Sequence, residues 1–303
     1  MSIAQKMVVV CGEALIDRIQ GGGDSLGGGP YNTSRALARL GTPTQFLGRL
    51  STDAFGQRLK DQLTSDGVDL SLTSFGPEPT TIAIADVDPK GHADYRFLID
   101  GTSAPNLTVK MVPGSLSPDV KALHVGTLGL VFEPVATTIA GLVKRDHRSL
   151  LVMVDPNIRP SAVPNRSRLD GIIVESTIVK ASDADIAWLY PEVDLESAAR
   201  SLLGRGPQLV VVTLGAEGAF GLCAGTEVRV AAPVVDVVDT IGAGDAFGAG
   251  LLAWLFDHDR LTRDLRLDTD ELRDALDFAC LVASITCTRA GADPPRRAEL
   301  GSR

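Results

Sequence analysis

Short apolar runs that alternate with segments of helical periodicity constrain this chain more than any other feature. The runs lie at Met7–Cys11, 44–50, 122–125, 150–154, 178–180 and Leu209–Thr213. The segments with helical spacing lie at 32–41, 55–63, 134–144, 167–175, Asp183–Leu189 and Leu195–Leu203. A strand that is apolar at every position is buried on both faces, so the alternation predicts a mostly parallel sheet covered by helices on both sides. Two regions break the rhythm. Residues 21–29 form a glycine-rich loop, and 80–99 read as a β-hairpin in which "TTIAIADVD" and "DYRFLI" are joined by "PKGHA". Both are expected to leave the main sheet as a small β-sheet lid, with segments near 13–29 and 80–105. The lid would sit over the C-terminal strand ends, where open α/β sheets bind ligands. The expected organisation is one domain over residues 1–303.

Composition supports a large core and narrows the partners. The chain has 303 residues, 44% hydrophobic and 22% charged, with mean hydropathy +0.14. That composition is not that of a disordered protein. Its 29 basic and 38 acidic side chains give a net charge of −9. No basic stripe is present, which argues against a nucleic-acid binder. The four cysteines (11, 223, 280 and 287) form no C-x-x-C pair. They read as free thiols in a reducing cytoplasm. The N-terminal apolar run is too short for a signal peptide, and no stretch reaches the ~20 apolar residues of a membrane span. The expected setting is cytoplasmic, with no membrane partner.

One stretch carries chemistry. "DTIGAGDAFGAG", 239–250, is a glycine-rich turn that opens an apolar helix. Free N–H groups and the positive dipole end make such a turn an anion site, yet Asp245 sits in it. Taken alone, Asp245 is read equally well as an N-cap. The preceding Gly242, Ala243 and Gly244 tilt the reading, because a cap does not need them. Small residues let a ligand approach the backbone. An N–H cradle for phosphate beside a carboxylate that takes a hydroxyl proton suits phosphoryl transfer. The stretch is neither a Walker loop nor a dinucleotide fingerprint, which disfavours a nicotinamide oxidoreductase.

This stretch resembles the C-terminal signature of the ribokinase-like (PfkB) carbohydrate kinases. "GGGPYNTSRALARLGTPTQFLGRLSTDAFGQ", 27–57, resembles their N-terminal signature. "GEALIDRI", "VDPNIRP", "VVTLGAEGA" and "TRAGA" extend the likeness over nearly the whole chain. The resemblance implies a ribokinase-like fold and an ATP- and Mg²⁺-dependent sugar kinase. It implies Asp245 as the catalytic base, the N–H groups of Gly242, Ala243 and Gly244 as the anion hole, and Asp17, Gly28 and Asn32 as sugar ligands. Asn32 alone is read equally as a helix N-cap. The family's Asn and Glu near the Mg²⁺–phosphate region correspond to Ser182 and Asp185, so Asp185 would meet Mg²⁺ through water. Without the resemblance, this pair is an N-cap with acids in a first turn. Thr213, Gly215 and Gly218 would meet the nucleotide, with Ala279 and Ala283 beneath the adenine.

Arg96 and Arg159 match positions found in fructokinases and 2-keto-3-deoxygluconate kinases, and both would face the sugar. "GEALID" and "DPNIRP" look more like fructokinases. A sugar acid would be favoured by paired arginines. A non-catalytic sugar or nucleotide sensor is the alternative outside enzymes, disfavoured by the retained Asp245. Many family members hold K⁺ near the residue matching Asp239. Here Asp239, Ile241, Arg289 and Gly291 would form that site, although Pro295 stands where the family has a serine. The exposed edge of a lid sheet would suit pairing with a second lid in a homodimer.

Overall fold

The computed structural model describes residues 6–19, 23–87, 93–159 and 162–301. The strands, in chain order, are β1 (Met7–Cys11), β2 (Leu15–Ile19), β3 (Asp24–Gly27), β4 (Thr44–Leu47), β5 (Arg49–Ser51), β6 (Ser74–Gly76), β7 (Ile82–Val87), β8 (Ala93–Leu98), β9 (Val120–Gly126), β10 (Leu151–Asp155), β11 (Ile178–Ser182), β12 (Leu209–Thr213), β13 (Ala219–Cys223) and β14 (Thr226–Val230). The helices are α1 (Gly29–Arg39), α2 (Ala54–Asp66), α3 (Val135–Asp146), α4 (Arg166–Glu175), α5 (Asp183–Leu189), α6 (Leu195–Leu203), α7 (Ala243–Asp257) and α8 (Thr269–Cys287).

Eight strands form the main sheet in the order β14-β13-β12-β11-β10-β9-β1-β4. Pairing is parallel from β4 to β12 and antiparallel at β13 and β14. Burial on both faces explains the continuous apolar runs. Val8 and Val10 belong to the core on one face of the sheet, which also holds Leu37, Phe247, Leu251 and Leu276 of α1, α7 and α8. Val9 and Cys11 belong to the core on the other face, with Ile139, Ile172 and Leu202 of α3, α4 and α6. The arrangement is the α/β class expected from the sequence, a mostly parallel sheet covered by helices on both faces with a small second sheet.

The second sheet, β3-β2-β7-β8, is the expected excursion. Part of the glycine-rich loop is a strand, since β3 pairs antiparallel with β2. The hairpin turn at 88–92 lies outside the described residues. Two boundaries differ from the sequence expectation. The strand expected over 44–50 divides at Gly48 into β4 and β5, which belong to different sheets. A Cβ on Gly48 would lie 2.5 Å from the Phe46 ring and 2.7 Å from the Gly12 carbonyl, so the chain bends through a gap that admits only glycine. Helix α1 begins at Gly29 rather than near Asn32. Gly28, at φ 107°, is its N-cap, and Pro30 fits the first turn.

Candidate active site

The loops at the C-terminal ends of β1, β9 and β10 meet the N-termini of α1 and α7 and the lid. Between them is a cleft of about 280 Å³ lined by, among others, Asp17, Asn32, Phe97, Arg159, Lys180 and Asp245. This is near the small end of the ~300–1,000 Å³ typical of ligand pockets, and its walls are mainly polar. A second cleft of about 370 Å³ is mainly apolar. Thr213, Gly215, Gly218, Val234, Val237 and Ala283 contribute to it. Thr240 and Gly244 line both, so the 240–244 turn is the wall the two clefts have in common.

Asp245 is not the cap of α7. Gly242, in the left-handed region at φ 78°, takes that place, and Asp245 lies in the first turn. Its Oδ2 accepts from Asn32 Nδ2 at 2.9 Å. Asn32 in turn lies inside α1, so its amide is free to reach the cleft instead of capping a helix. The approach is close, since a Cβ on Gly29 would stand 3.2 Å from Asp245 Oδ1. Burial pushes the Asp245 carboxyl up to about 7, against the lowering pull of the Asn32 hydrogen bond; the negative charge of Asp155 adds to the rise. A carboxylate titrating near neutrality is suited to take a proton from a hydroxyl.

The N–H groups of Gly242 and Gly244 have no hydrogen-bond partner among the described residues, as an anion cradle requires. Ala243 departs from the expectation. Its N–H donates to the Thr240 carbonyl at 3.2 Å and tightens the turn, and its side lines only the apolar cleft.

Asp17 faces the cleft from β2. Its carboxyl is raised to about 6, chiefly by burial and then by the charge of Asp245, while Arg159 opposes the rise. Asp17, Ala83 and Phe97 are in register across β2, β7 and β8, so they share the face of the lid that looks into the cleft. Arg18, Ile84 and Arg96 share the other face. Arg96 is therefore corrected: strand alternation turns its exposed side chain away from the cleft and turns Phe97 in. Arg159 does line the cleft. Gly28 lines it as well, with a backbone conformation that other residues rarely adopt.

Three further expectations change. Ser182 caps α5 in a reciprocal box with Asp185, and Ser182 lines neither cleft. Asp185 Oδ2 accepts from the Ser182 N–H at 2.8 Å, and Oδ1 accepts from the Ile158 N–H at 2.7 Å. One oxygen of this buried side chain closes the cap of α5 and the other fastens the loop after β10, and the side chain lines neither cleft. The acid is one methylene shorter than glutamate, and its partners are Ser182 at the start of its own helix and Ile158. Ala279 is fully buried against Gly250 and lies behind the apolar cleft, whose wall is formed by Cys280, Ala283, Ser284 and Cys287.

Asp239 bridges two segments. Its Oδ1 accepts from the Ile241 N–H at 3.0 Å and its Oδ2 from the Gly291 N–H at 2.8 Å. The loop that holds Arg289 and Gly291 is clamped from α1, where Arg35 Nη1 donates to the Ala292 carbonyl and Arg39 Nη1 to that of Pro294.

The pfkB family carbohydrate kinase profile matches residues 5–298. The chain belongs to this family. It is 37% identical over 285 residues to a fructokinase of Rhizobium leguminosarum bv. trifolii, covering 89% of this chain and 87% of that protein. The ATP-bound fructokinase of Xylella fastidiosa superposes with a TM-score of 0.87 at 25% identity, over 98% of this chain and 97% of that one. Fructokinase from Vibrio cholerae O395, in a form bound to fructose, ADP and calcium ion, gives 0.85 at 26% identity over 98% of each chain. A double mutant of that protein, bound to fructose, ADP and potassium ion, gives 0.85 at 26% identity over 99% and 98%. The chain is thus a carbohydrate kinase, a phosphotransferase acting on a sugar hydroxyl.

Sequence reasoning passed over several lining residues of this kinase. Glu13 is buried and accepts from the N–H groups of Gly29 and Gly129 at 3.2 and 3.0 Å, and from the Thr127 hydroxyl. It ties the start of α1 to the segment after β9. Lys180 lies in the otherwise apolar "IVKAS" of β11 and carried a usable signal, because a charge inside a doubly buried strand is rare unless paired. The valines at 234, 235 and 237, which line the apolar cleft with Val234 and Val237 exposed, were another.

Proposed function

We propose that this kinase transfers the γ-phosphoryl group of ATP to a hydroxyl of fructose. The observation that carries the reading is the 240–244 turn, one wall common to a polar and an apolar cleft, with Asp245 on the polar side. The apolar cleft suits a purine and the polar one a sugar. The fructose- and ADP-bound relative supports that assignment. Asp17, Asn32 and Arg159 would bind the sugar, and Asp245 would take the proton from the attacking hydroxyl. The unpaired N–H groups of Gly242 and Gly244 would meet the charge on the transferred group.

The polar cleft also bears on the choice of sugar. With Arg96 turned away, Arg159 is the one arginine on the cleft wall among the described residues, and Asp17 places negative charge near it. A neutral ketohexose is accommodated by such a mixed lining, whereas the carboxylate of 2-keto-3-deoxygluconate would meet Asp17 and Asp245 as well as Arg159 and Lys180, the latter already paired with Asp155.

A divalent cation would accompany ATP. The described residues contain no group of three or more His, Cys, Asp or Glu side chains able to hold a metal. A phosphate-bound Mg²⁺ needs few protein ligands, since water and phosphate oxygens complete its shell. When bound it offsets phosphate charge. The reading places the enzyme in the cytoplasm, where ATP is available and four free cysteines are kept reduced. It also keeps the outer lid face, with Leu98 44% exposed, as a contact for a second copy.

The test is ADP release from ATP and Mg²⁺ across a panel of fructose, 2-keto-3-deoxygluconate, ribose and glucose. Fructose is expected to give the highest kcat/KM. Preference for the keto-acid would overturn the substrate assignment, and no turnover with any sugar would overturn the reading as a whole.

A further inference from the structure

Lys180 occupies the middle of β11 with its side chain 5% exposed. Its Nζ donates to Asp155 Oδ2 at 2.7 Å, the one hydrogen bond it makes among the described residues. An ammonium carries three N–H donors, so two remain unused in a place where water is scarce. The direction they face is known from two observations. Lys180 lines the polar cleft, and a Cβ placed on Gly244 would lie 3.1 Å from Nζ. The ammonium therefore stands directly behind the turn that separates the two clefts. The neighbouring His124 is buried and neutral, pushed down to about 3 by burial and by the charge of Lys180 itself, so it brings no competing cation. Asp155, Asp245 and Asp185 all favour the charged lysine. A buried ion pair alone is weak as a stabilising device, because desolvation offsets much of the attraction.

We propose that Lys180 is a catalytic cation of this kinase, whose two unpaired N–H donors bind the phosphoryl group as it passes between the clefts. The proposal rests on the phosphoryl-transfer reading above. In the step, the sugar oxygen forms a bond to the γ-phosphorus while its proton goes to Asp245. The bond from that phosphorus to the β–γ bridging oxygen breaks, and ADP leaves with the electron pair. Charge accumulates on the oxygens of the group in flight, beside Gly242, Gly244 and Lys180. Asp155 holds the ammonium in place and leaves its donors facing the turn.

The test compares wild type with Lys180→Met, Lys180→Arg and Lys180→Met/Asp155→Asn. Turnover is measured with fructose, and binding of AMP-PNP and ADP is measured by calorimetry. The expected result for Lys180→Met is a kcat lower by about 10²–10³, with KM for fructose within about threefold. The ratio of AMP-PNP to ADP affinity should fall by about tenfold, and Lys180→Arg should recover part of kcat. The double variant removes the charge that Lys180→Met leaves buried and unpaired; it replaces the single variant in all measurements if that one does not fold. Its kcat is expected to stay low. Recovery to within a few-fold of wild type would show that Lys180 only neutralises Asp155, and an unchanged affinity ratio with kcat within threefold would equally overturn the proposal. Were the wild type to phosphorylate no sugar, the functional reading would fall, while the affinity ratio would still decide whether Lys180 meets the terminal phosphate.

Discussion

The Asp245 carboxyl is raised mainly by burial and held down by one hydrogen bond, from Asn32. A general base must be ionised, so kcat/KM should fall about tenfold per unit below pH about 7. Asn32→Ala removes the lowering contact and should move that acid limb upward by about one unit. A limb that stays in place in this variant would show that the hydrogen bond does not tune the base. Asp245→Asn should lower kcat by about 10²–10⁴ while KM changes little. Turnover within a few-fold of wild type would remove Asp245 from the chemistry. The same group makes a stability prediction. Its folded pKa lies above the ordinary 3.8, so the folded state binds this proton more tightly. That contribution is complete below pH 3.8 and is lost as pH rises through about 7. Asp245→Asn should therefore be more stable than wild type at pH 8, by roughly 1–3 kcal/mol or a few degrees in Tm, and not at pH 4. Equal melting temperatures at pH 8 would contradict the raised pKa. Asp245 was legible in the sequence because three small residues precede it. Arg96 was misread because a lone arginine in a strand does not reveal which face of the strand meets the ligand.

At the scale of elements, the start of α7 depends on a turn that is fastened elsewhere. Asp239 joins Ile241 to Gly291, and Arg35 and Arg39 anchor the 291–294 segment to α1. Arg35 and Arg39 converge on Asp66 at the end of α2, whose side chain has no exposure. Asp66→Ala should cost about 3–5 kcal/mol, because two arginines lose the carboxylate that compensates their burial. Urea unfolding measures it, and a loss under 1 kcal/mol would show the clamp to be dispensable. Activation by K⁺ near Asp239, Ile241, Arg289 and Gly291, which the family resemblance implies, is a further proposal at this scale. Replacing tetramethylammonium chloride by KCl at fixed ionic strength should raise turnover saturably, by several-fold, and Asp239→Ala should abolish the rise. Equal rates in the two salts would exclude an activating cation. Most elements were legible, since burial on both faces leaves continuous apolar runs. The break at Gly48 was not, because it comes from the Phe46 ring and the Gly12 carbonyl, one of them distant in sequence. The Ser182–Asp185 box was legible as an N-cap, because its residues are three apart at a helix start.

Across the whole molecule, the two large cores on the faces of the main sheet contrast with the small cluster beneath the lid. That cluster has Leu15, Ala83, Leu128 and Ala162 as its buried members, with Phe97 packed against them. Phe97 also meets Phe132 edge-on, with ring centroids 6.0 Å apart. Leu26 of β3 adds a contact to the core of Tyr31, Phe46 and Leu59, but both contacts are small beside the two main cores, so opening should require far less free energy than global unfolding. Asp17 and Phe97 belong to the lid, whereas Asn32, Arg159 and Asp245 belong to the body. A sugar in the cleft would contact both and should favour the closed arrangement by its differential affinity. A nucleotide in the apolar cleft touches only the body and should not. Hydrogen exchange followed by mass spectrometry can separate these cases. Amides of β7 and β8 should exchange much faster than those of β9 to β12 in the free protein. Fructose should slow exchange in β7 and β8 by about tenfold, and ADP alone should leave it unchanged. Equal protection of lid and main sheet before any ligand is added would mean that the lid is already fixed, and that access to Asp245 is set by the static cleft.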